Sequence, residues 1–189
     1  MPQTDRLAAA FRDAFRRHPA GVAIVTADPG GRPVAMTVSS LISVSAAPPT
    51  VAFSLSSRSG STAAVLAADS LVIHFLRYAD RALGQLGATP GADRFGPGVA
   101  WERLADGTPR YTQVTTWFRA RITGTLPTEG ATLVAAELVE GHGGPSDPHP
   151  PPDQDPLIYL DRRWHRLHDR RDGIASLMPA DADPTDVFR

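Results

Sequence analysis

After Gly21 the chain stops repeating every three to four residues and breaks into short β-like runs, the one over 114–125 alternating every two residues. Residues 22–27 form one such run, and the turn Asp28-Pro29-Gly30-Gly31 closes it. A longer run over 34–45, with room to bend, stops at Pro48-Pro49, and 50–56 follows. Further β runs cover 70–76, 114–125, 132–140 and 157–160. Only two helical stretches interrupt them: an Ala-rich one ending near Ala68, and one over 78–87. No strand–helix–strand alternation runs through the chain, so the pattern predicts a mainly β domain, a closed or nearly closed barrel with short peripheral helices. A doubly wound nucleotide fold is excluded on the same ground. Neither GxGxxG after the first strand nor GxxxxGK[ST] occurs.

One segment keeps the helical period. Over residues 5–17, Leu7, Phe11 and Phe15 recur every four residues with Ala10 and Ala14 beside them, and Arg6, Arg12, Arg16 and Arg17 take other faces. Pro19 and Gly21 stop this helix. Its arginines are read either as a solvated face or as a contact for an anionic partner. Residues 89–109 are irregular, with Phe95 and Trp101 as anchors, and 141–156 read as a Pro-rich exposed loop. The expected organisation is one domain over 1–169 and a polar C-terminal tail over 170–189, ordered by a partner subunit.

Bulk properties narrow the function. The 189 residues suit a single domain, large enough to need no covalent staples. With no cysteine, disulfides, thiolate metal sites and cysteine nucleophiles are excluded. A formal charge of −1 argues against duplex nucleic acid, whose binding rests on many Lys/Arg–phosphate contacts. No apolar run approaches the roughly 20 residues that cross a bilayer, and no secretory signal is visible. The expectation is a cytoplasmic protein without nucleic-acid or membrane partners.

Two polar constellations stand out. Thr37-Val38-Ser39-Ser40 places Thr37 and Ser39 on one strand face and Val38 and Ser40 on the other. Paired hydroxyls beside backbone N–H groups can grip a polar ligand; an ordinary exposed strand face is the alternative. Ser54-Leu55-Ser56-Ser57-Arg58-Ser59-Gly60-Ser61-Thr62 joins hydroxyl donors, a cation and the start of a helix, the ingredients of a phosphate site. A flexible serine loop ending in a helix cap has the same composition. His165 and His168 stand beside Asp161 and Asp169 and would share a face on a helix, but they read as surface histidines, and no metal site is assigned. His74, on an apolar strand, reads as a satisfied core residue. No catalytic acid, base or nucleophile is identified.

The block Pro19-Ala20-Gly21-Val22-Ala23-Ile24-Val25-Thr26-Ala27 resembles the opening of the flavin reductase-like family of FMN-binding split barrels. Thr37-Val38-Ser39-Ser40-Leu41-Ile42-Ser43-Val44-Ser45, followed by Pro48-Pro49, is similar to that family's most distinctive block. The serine loop ending in Ser61-Thr62, then Asp93-Arg94-Phe95, then the closing run from Leu157 to Trp164 follow in the family's order, over roughly residues 11–167. The resemblance implies a split β-barrel of Greek-key type, a homodimer, and FMN or FAD as cofactor with NADH or NADPH as hydride donor. It implies a flavin reductase that supplies a partner monooxygenase. It places the cofactor along Met36, Thr37, Val38, Ser39 and Ser40, with Ser54, Ser56, Ser57, Arg58, Ser59, Ser61 and Thr62 at the phosphate end and Arg94 and Phe95 alongside. Ala131, Tyr159, Arg162 and Trp164 fall on the nicotinamide or substrate side.

The chain departs from the family at two points: the usual cysteine is absent from the strand before the hairpin, where Trp117 to Arg121 stand, and the hairpin itself is changed. Ala131-Thr132 stands where family members carry an Asp-His pair whose histidine is associated with the nicotinamide. An alanine side chain neither donates a hydrogen bond nor stacks on a ring. The departure motivates a second expectation: a divergent flavoprotein acting on an organic substrate, or a non-catalytic flavin-binding module.

Overall fold

The computed structural model describes residues 3–143, 155–169 and 175–182. A helix, α1 (Gln3–Arg16), precedes two short strands, β1 (Ala20–Gly21) and β2 (Ala23–Ala27). Then come β3 (Val34–Val38), β4 (Ile42–Ala46), β5 (Pro49–Ser56), α2 (Thr62–Ala67), β6 (Leu71–Phe75) and α3 (Arg81–Ala88). A small hairpin of β7 (Trp101–Arg103) and β8 (Pro109–Tyr111) leads into the long hairpin of β9 (Trp117–Pro127) and β10 (Ala131–His142). The described chain ends with β11 (Leu157–Leu160), β12 (Arg163–Asp169) and β13 (Ala175–Ala182).

Seven strands form one antiparallel sheet in the order β3-β2-β6-β9-β10-β5-β4, and β1-β11-β12-β13 form a second. The first sheet curls until β3 meets β5. Ser40 makes the seam: its Oγ accepts the Ser54 N–H at 2.9 Å and donates to the Ser54 carbonyl at 3.3 Å. A side chain thus replaces the backbone ladder where the barrel closes.

Period-2 alternation explains why β2 is apolar throughout. Ala23, Val25 and Ala27 face into the barrel, onto Phe53, Leu55, Ile73 and Val134. Ile24 faces outward, into a second core with Leu83, Tyr111, Leu157 and Trp164. Each fully buried aliphatic or aromatic side chain of this kind contributes about 1.5–3 kcal/mol. The strand is buried on both sides because α3, the small hairpin and the second sheet cover the outer face of the barrel.

Three features differ from the sequence expectation. The run over 34–45 is not one strand: it breaks over Ser39, Ser40 and Leu41, between β3 and β4. Residues 175–182, expected within a tail ordered by a partner, pair with β12 of their own chain, extending its open edge. His165 and His168 lie on a strand, not a helix, and an offset of three along a strand does not put two positions on one face. The Pro-rich stretch over 144–154 and the tail beyond 182 lie outside the described residues.

α1 is amphipathic as expected, but no residue in it is buried. Its Phe11 and Phe15 rings, 4.5 Å apart, remain 58% and 61% exposed. β4, an edge strand with no charged residue, is exposed along its length. Among the described residues no helix is long and apolar enough to cross a membrane.

Candidate functional site

A cavity of about 780 Å³ opens under α1, within the size range of small-molecule sites. Phe11 and Phe15 form one wall; Ser39, Ser40, Leu41 and Ser54 form another; Tyr159, Leu160, Asp161 and Arg162 form the third. The strand break at Ser39–Leu41 aims these residues at the cavity, because a continuous strand would have carried them past it.

The third wall is a two-residue turn. Leu160 pairs with Arg163, and Asp161 and Arg162 between them have φ of 50° and 60°. Two successive left-handed residues make a tight hairpin turn of the primed type, where Gly and Asn are usual. An arginine there costs about 1–2 kcal/mol, so the surroundings must hold it. One restraint is visible: the Asp161 N–H donates to the Arg16 carbonyl at 2.8 Å, tying the turn to the end of α1.

The second half of the site lies around the serine loop. The Thr62 hydroxyl donates to the Ser56 carbonyl at 2.7 Å, Ser56 Oγ accepts the Arg58 N–H at 3.3 Å, and Ser59 Oγ accepts the Ser61 N–H at 3.4 Å. Ser61 Oγ donates to the Ala35 carbonyl at 3.4 Å and accepts from Arg94 Nη1 at 3.2 Å. Arg94 Nη2 donates to the Thr89 carbonyl at 2.9 Å, while Arg94 Nε is buried with no hydrogen-bond partner. Burial pulls the Arg94 pKa below the usual guanidinium value, and no carboxylate pairs with it among the described residues. A half-buried cation without a counter-charge is costly, and an anionic ligand at this point removes the cost. α2 has only six residues, so Arg94 rather than a helix dipole supplies the positive charge.

Arg94 is held from behind. Tyr111 donates its hydroxyl to the Arg94 carbonyl at 2.9 Å, and its ring stacks on Phe95 at 5.3 Å and 15°. Burial raises the Tyr111 pKa, so the hydroxyl keeps its proton. His74 Nε2 accepts the Tyr111 N–H at 3.0 Å, which assigns the ring proton to Nδ1, facing the Ile24 carbonyl at 3.2 Å. Burial lowers the His74 pKa to about 3. His74 is thus a neutral brace, as its apolar strand suggests.

The structure distributes the expected site residues unevenly. Ser39, Ser40, Ser54, Tyr159 and Arg162 line the cavity. Ser56, Ser57, Arg58, Ser59, Ser61 and Thr62 form the loop, with Arg94 and Phe95 against it. Met36 and Val38 point into the barrel core. The Thr37 hydroxyl donates to the Gly84 carbonyl at 2.7 Å and ties β3 to α3, so it does not face the cavity. These three can offer a ligand only backbone, and β3 is an outermost strand whose groups opposite β2 have no neighbouring strand. Trp164, expected on the substrate side, is fully buried with Tyr159 against its ring at 5.0 Å, because the second core needs its volume. Ala131 opposes Ser56, and the Ser57 N–H donates to Gly130, so this hairpin end adjoins the loop rather than the cavity.

Sequence reasoning named Arg12 and Arg16 as one possible anion contact but assigned neither them nor Phe11, Phe15, Asp161 and Tyr111 to the site. For Phe11, Phe15 and the two arginines a signal existed, an amphipathic helix placed directly before the barrel. For Tyr111, only the fold supplies the contact.

A family model, the flavin reductase like domain, matches residues 15–168. An NADH:FMN oxidoreductase of Rhodococcus erythropolis is 36% identical over 156 residues, covering 82% of this chain and 80% of that one. The reductase component of a 4-nitrophenol 4-monooxygenase/4-nitrocatechol 2-monooxygenase from Rhodococcus opacus is 34% identical over 142 residues, covering 74% and 75%. Among solved structures, a flavin reductase domain protein from Arthrobacter sp. FB24 superposes with a TM-score of 0.74 at 30% identity, covering 92% of this chain and 98% of that one. The sequence blocks, the barrel and these relatives agree: the chain belongs to the flavin reductase-like family.

Proposed function

We propose that this protein is an NAD(P)H-dependent flavin reductase that binds FMN or FAD between the cavity and the serine loop and supplies the reduced flavin to a partner monooxygenase. The observation that carries the reading is Arg94: a half-buried guanidinium with an unpartnered Nε, set beside Ser61 and facing no carboxylate among the described residues. It fits a phosphate monoester, which accepts several charge-assisted bonds from one arginine.

Each part of the site has a role. Arg94, Ser61 and the loop would hold the phosphate, and the free edge of β3 together with Ser39 and Ser54 would offer polar groups to the flavin ring. Phe11, Phe15 and Tyr159 exclude water from the reacting rings. A bound flavin supplies the hydride-accepting ring. The protein's part is to bring two rings into contact and keep solvent out, so the lack of a catalytic dyad is no objection.

The same reading includes a homodimer. Leu7, Ile42, Val44 and Leu126 are large apolar side chains more than half exposed in the single chain and outside the aromatic wall of the cavity, an arrangement that marks an interaction surface. The partner monooxygenase is inferred from the Rhodococcus opacus relative, itself a reductase component.

The test is NADH and NADPH oxidation, followed in the near ultraviolet, by purified protein with and without added FMN and FAD. Flavin-dependent turnover is expected. Tight flavin binding without turnover favours the second reading, a flavoprotein that acts on an organic substrate, for which Ala131 at the family's histidine position is the specific support.

A further inference from the structure

A flavin mononucleotide carries one phosphate, and Arg94 answers it. The cavity has cations of its own that this account leaves unused. Arg12 and Arg16 of α1 both line it, as does Arg162 from the β11–β12 turn. Against these three guanidinium groups the lining sets one carboxylate, Asp161.

Arg12 and Arg16 are one helical turn apart, a spacing that puts neighbouring side chains about 5–6 Å from each other at Cβ. Neither forms an ion pair among the described residues, whereas Arg17, off the cavity, pairs with Asp13 at 3.3 Å. Their position is built into the fold. The Asp161 N–H bond to the Arg16 carbonyl locks the end of α1 against the turn that carries Arg162. That turn adopts a left-handed conformation at both residues, which only surrounding contacts sustain. Beside the arginines lie Phe11 and Phe15, an exposed aromatic pair of the kind on which a base or a nicotinamide ring packs.

Planar guanidinium groups converging on one opening match the spread charge of two linked phosphates better than a single one. We propose that the cavity mouth is a second anion subsite, formed by Arg12, Arg16 and Arg162, that takes the diphosphate of a dinucleotide. The inference rests on the flavin reductase reading and extends it: Arg94 takes the phosphate of FMN, and the α1 arginines take a dinucleotide's diphosphate, either that of the nicotinamide dinucleotide or that of FAD, whose flavin phosphate is one half of that group and then leaves Arg94.

ADP-ribose is the probe, because it carries the shared diphosphate without a flavin or nicotinamide ring. Its affinity and that of FMN are measured by calorimetry on the full chain, for the unsubstituted protein, for Arg12→Gln/Arg16→Gln, and for Arg6→Gln as a control off the cavity. α1 buries no residue, so the double variant is expected to fold, which circular dichroism checks. The expected result is a loss of ADP-ribose affinity of tenfold or more in the double variant only, with FMN affinity within about twofold. FAD affinity and the KM for NADH then separate the two sources. A fall in FAD affinity relative to FMN assigns the subsite to the flavin adenylate, and a raised KM at constant kcat assigns it to the nicotinamide dinucleotide. Equal ADP-ribose affinity in all three proteins overturns the proposal, as does failure of the unsubstituted protein to bind ADP-ribose while it binds FMN. So does a parallel loss of FMN and ADP-ribose, which makes α1 a general wall. Arginine-dependent ADP-ribose binding without FMN binding leaves the subsite standing and overturns the flavin reading instead.

Discussion

Replacing Arg94 with methionine should separate FMN from riboflavin. The guanidinium donates to Ser61 Oγ at 3.2 Å and to the Thr89 carbonyl at 2.9 Å, and its Nε has no partner. A hydrogen bond to a charged group contributes about 1.5–3 kcal/mol. At about 1.4 kcal/mol per factor of ten, losing that bond to phosphate weakens FMN about 10- to 150-fold. Riboflavin lacks the phosphate, and its affinity should stay within about twofold. The substitution removes two internal hydrogen bonds, worth about 1 kcal/mol each. It also removes a half-buried cation, so the ligand-free protein should change little in melting temperature. Quenching of flavin fluorescence during titration gives both affinities. If FMN and riboflavin weaken together, Arg94 shapes the pocket rather than reading the phosphate. If neither weakens, the phosphate sits elsewhere.

A Cβ on Gly87 would lie 2.5 Å from Thr37 Oγ1, so Gly87→Ala should destabilise by about 1–2 kcal/mol despite the better helix propensity of alanine; a raised melting temperature would refute the packing of α3 on β3. His74 has its pKa lowered from 6.5 to about 3 by burial. Between those values the unfolded chain holds a proton that the folded one does not, so stability should fall as pH drops through this window, by up to about 1.4 kcal/mol per unit. Urea midpoints at pH 7 and pH 5 should show this loss in the unsubstituted protein and not in His74→Gln; equal slopes would remove His74 as its source. Ile42→Lys with Val44→Glu should shift the mass measured by light scattering from dimer to monomer, since both side chains are exposed on the edge strand β4. A dimer that survives both charges has its interface elsewhere.

The barrel was legible because its information is local. The strands of the large sheet are short runs rich in β-branched residues, and Pro, Gly and Asp mark several of their ends, so most strand positions follow from the pattern alone. The break at Ser39–Leu41 was not legible, since Thr37 to Ser45 continues to look like strand; what bends it is the distant seam between Ser40 and Ser54. Residues 163–169 fit either period, and only pairing with Leu157–Leu160 decides for strand. The serine loop and Arg94 were recognisable by residue type, but their junction at Ser61 joins segments 33 residues apart. Thr37 shows the opposite limit. Its hydroxyl suggested a ligand contact, and a helix carbonyl 47 residues away claims it.

The pairing of Ala20 with Tyr159 and of Gly21 with Ile158 joins the first strand of the chain to one that follows all of β2 to β10. During synthesis at about 5–20 residues per second, those first residues wait on the order of ten seconds for their partners. α1 waits as long, because its anchor is the backbone of Asp161. A nascent chain therefore carries α1, with its exposed Leu7–Phe11–Phe15 stripe, without its backbone anchor until the β11–β12 hairpin emerges. Contacts of such long sequence separation also slow folding after release. The same latch that shapes the cavity wall thus makes completion of the β11–β12 hairpin the event that fixes α1 in place, while its apolar stripe stays exposed in the folded chain.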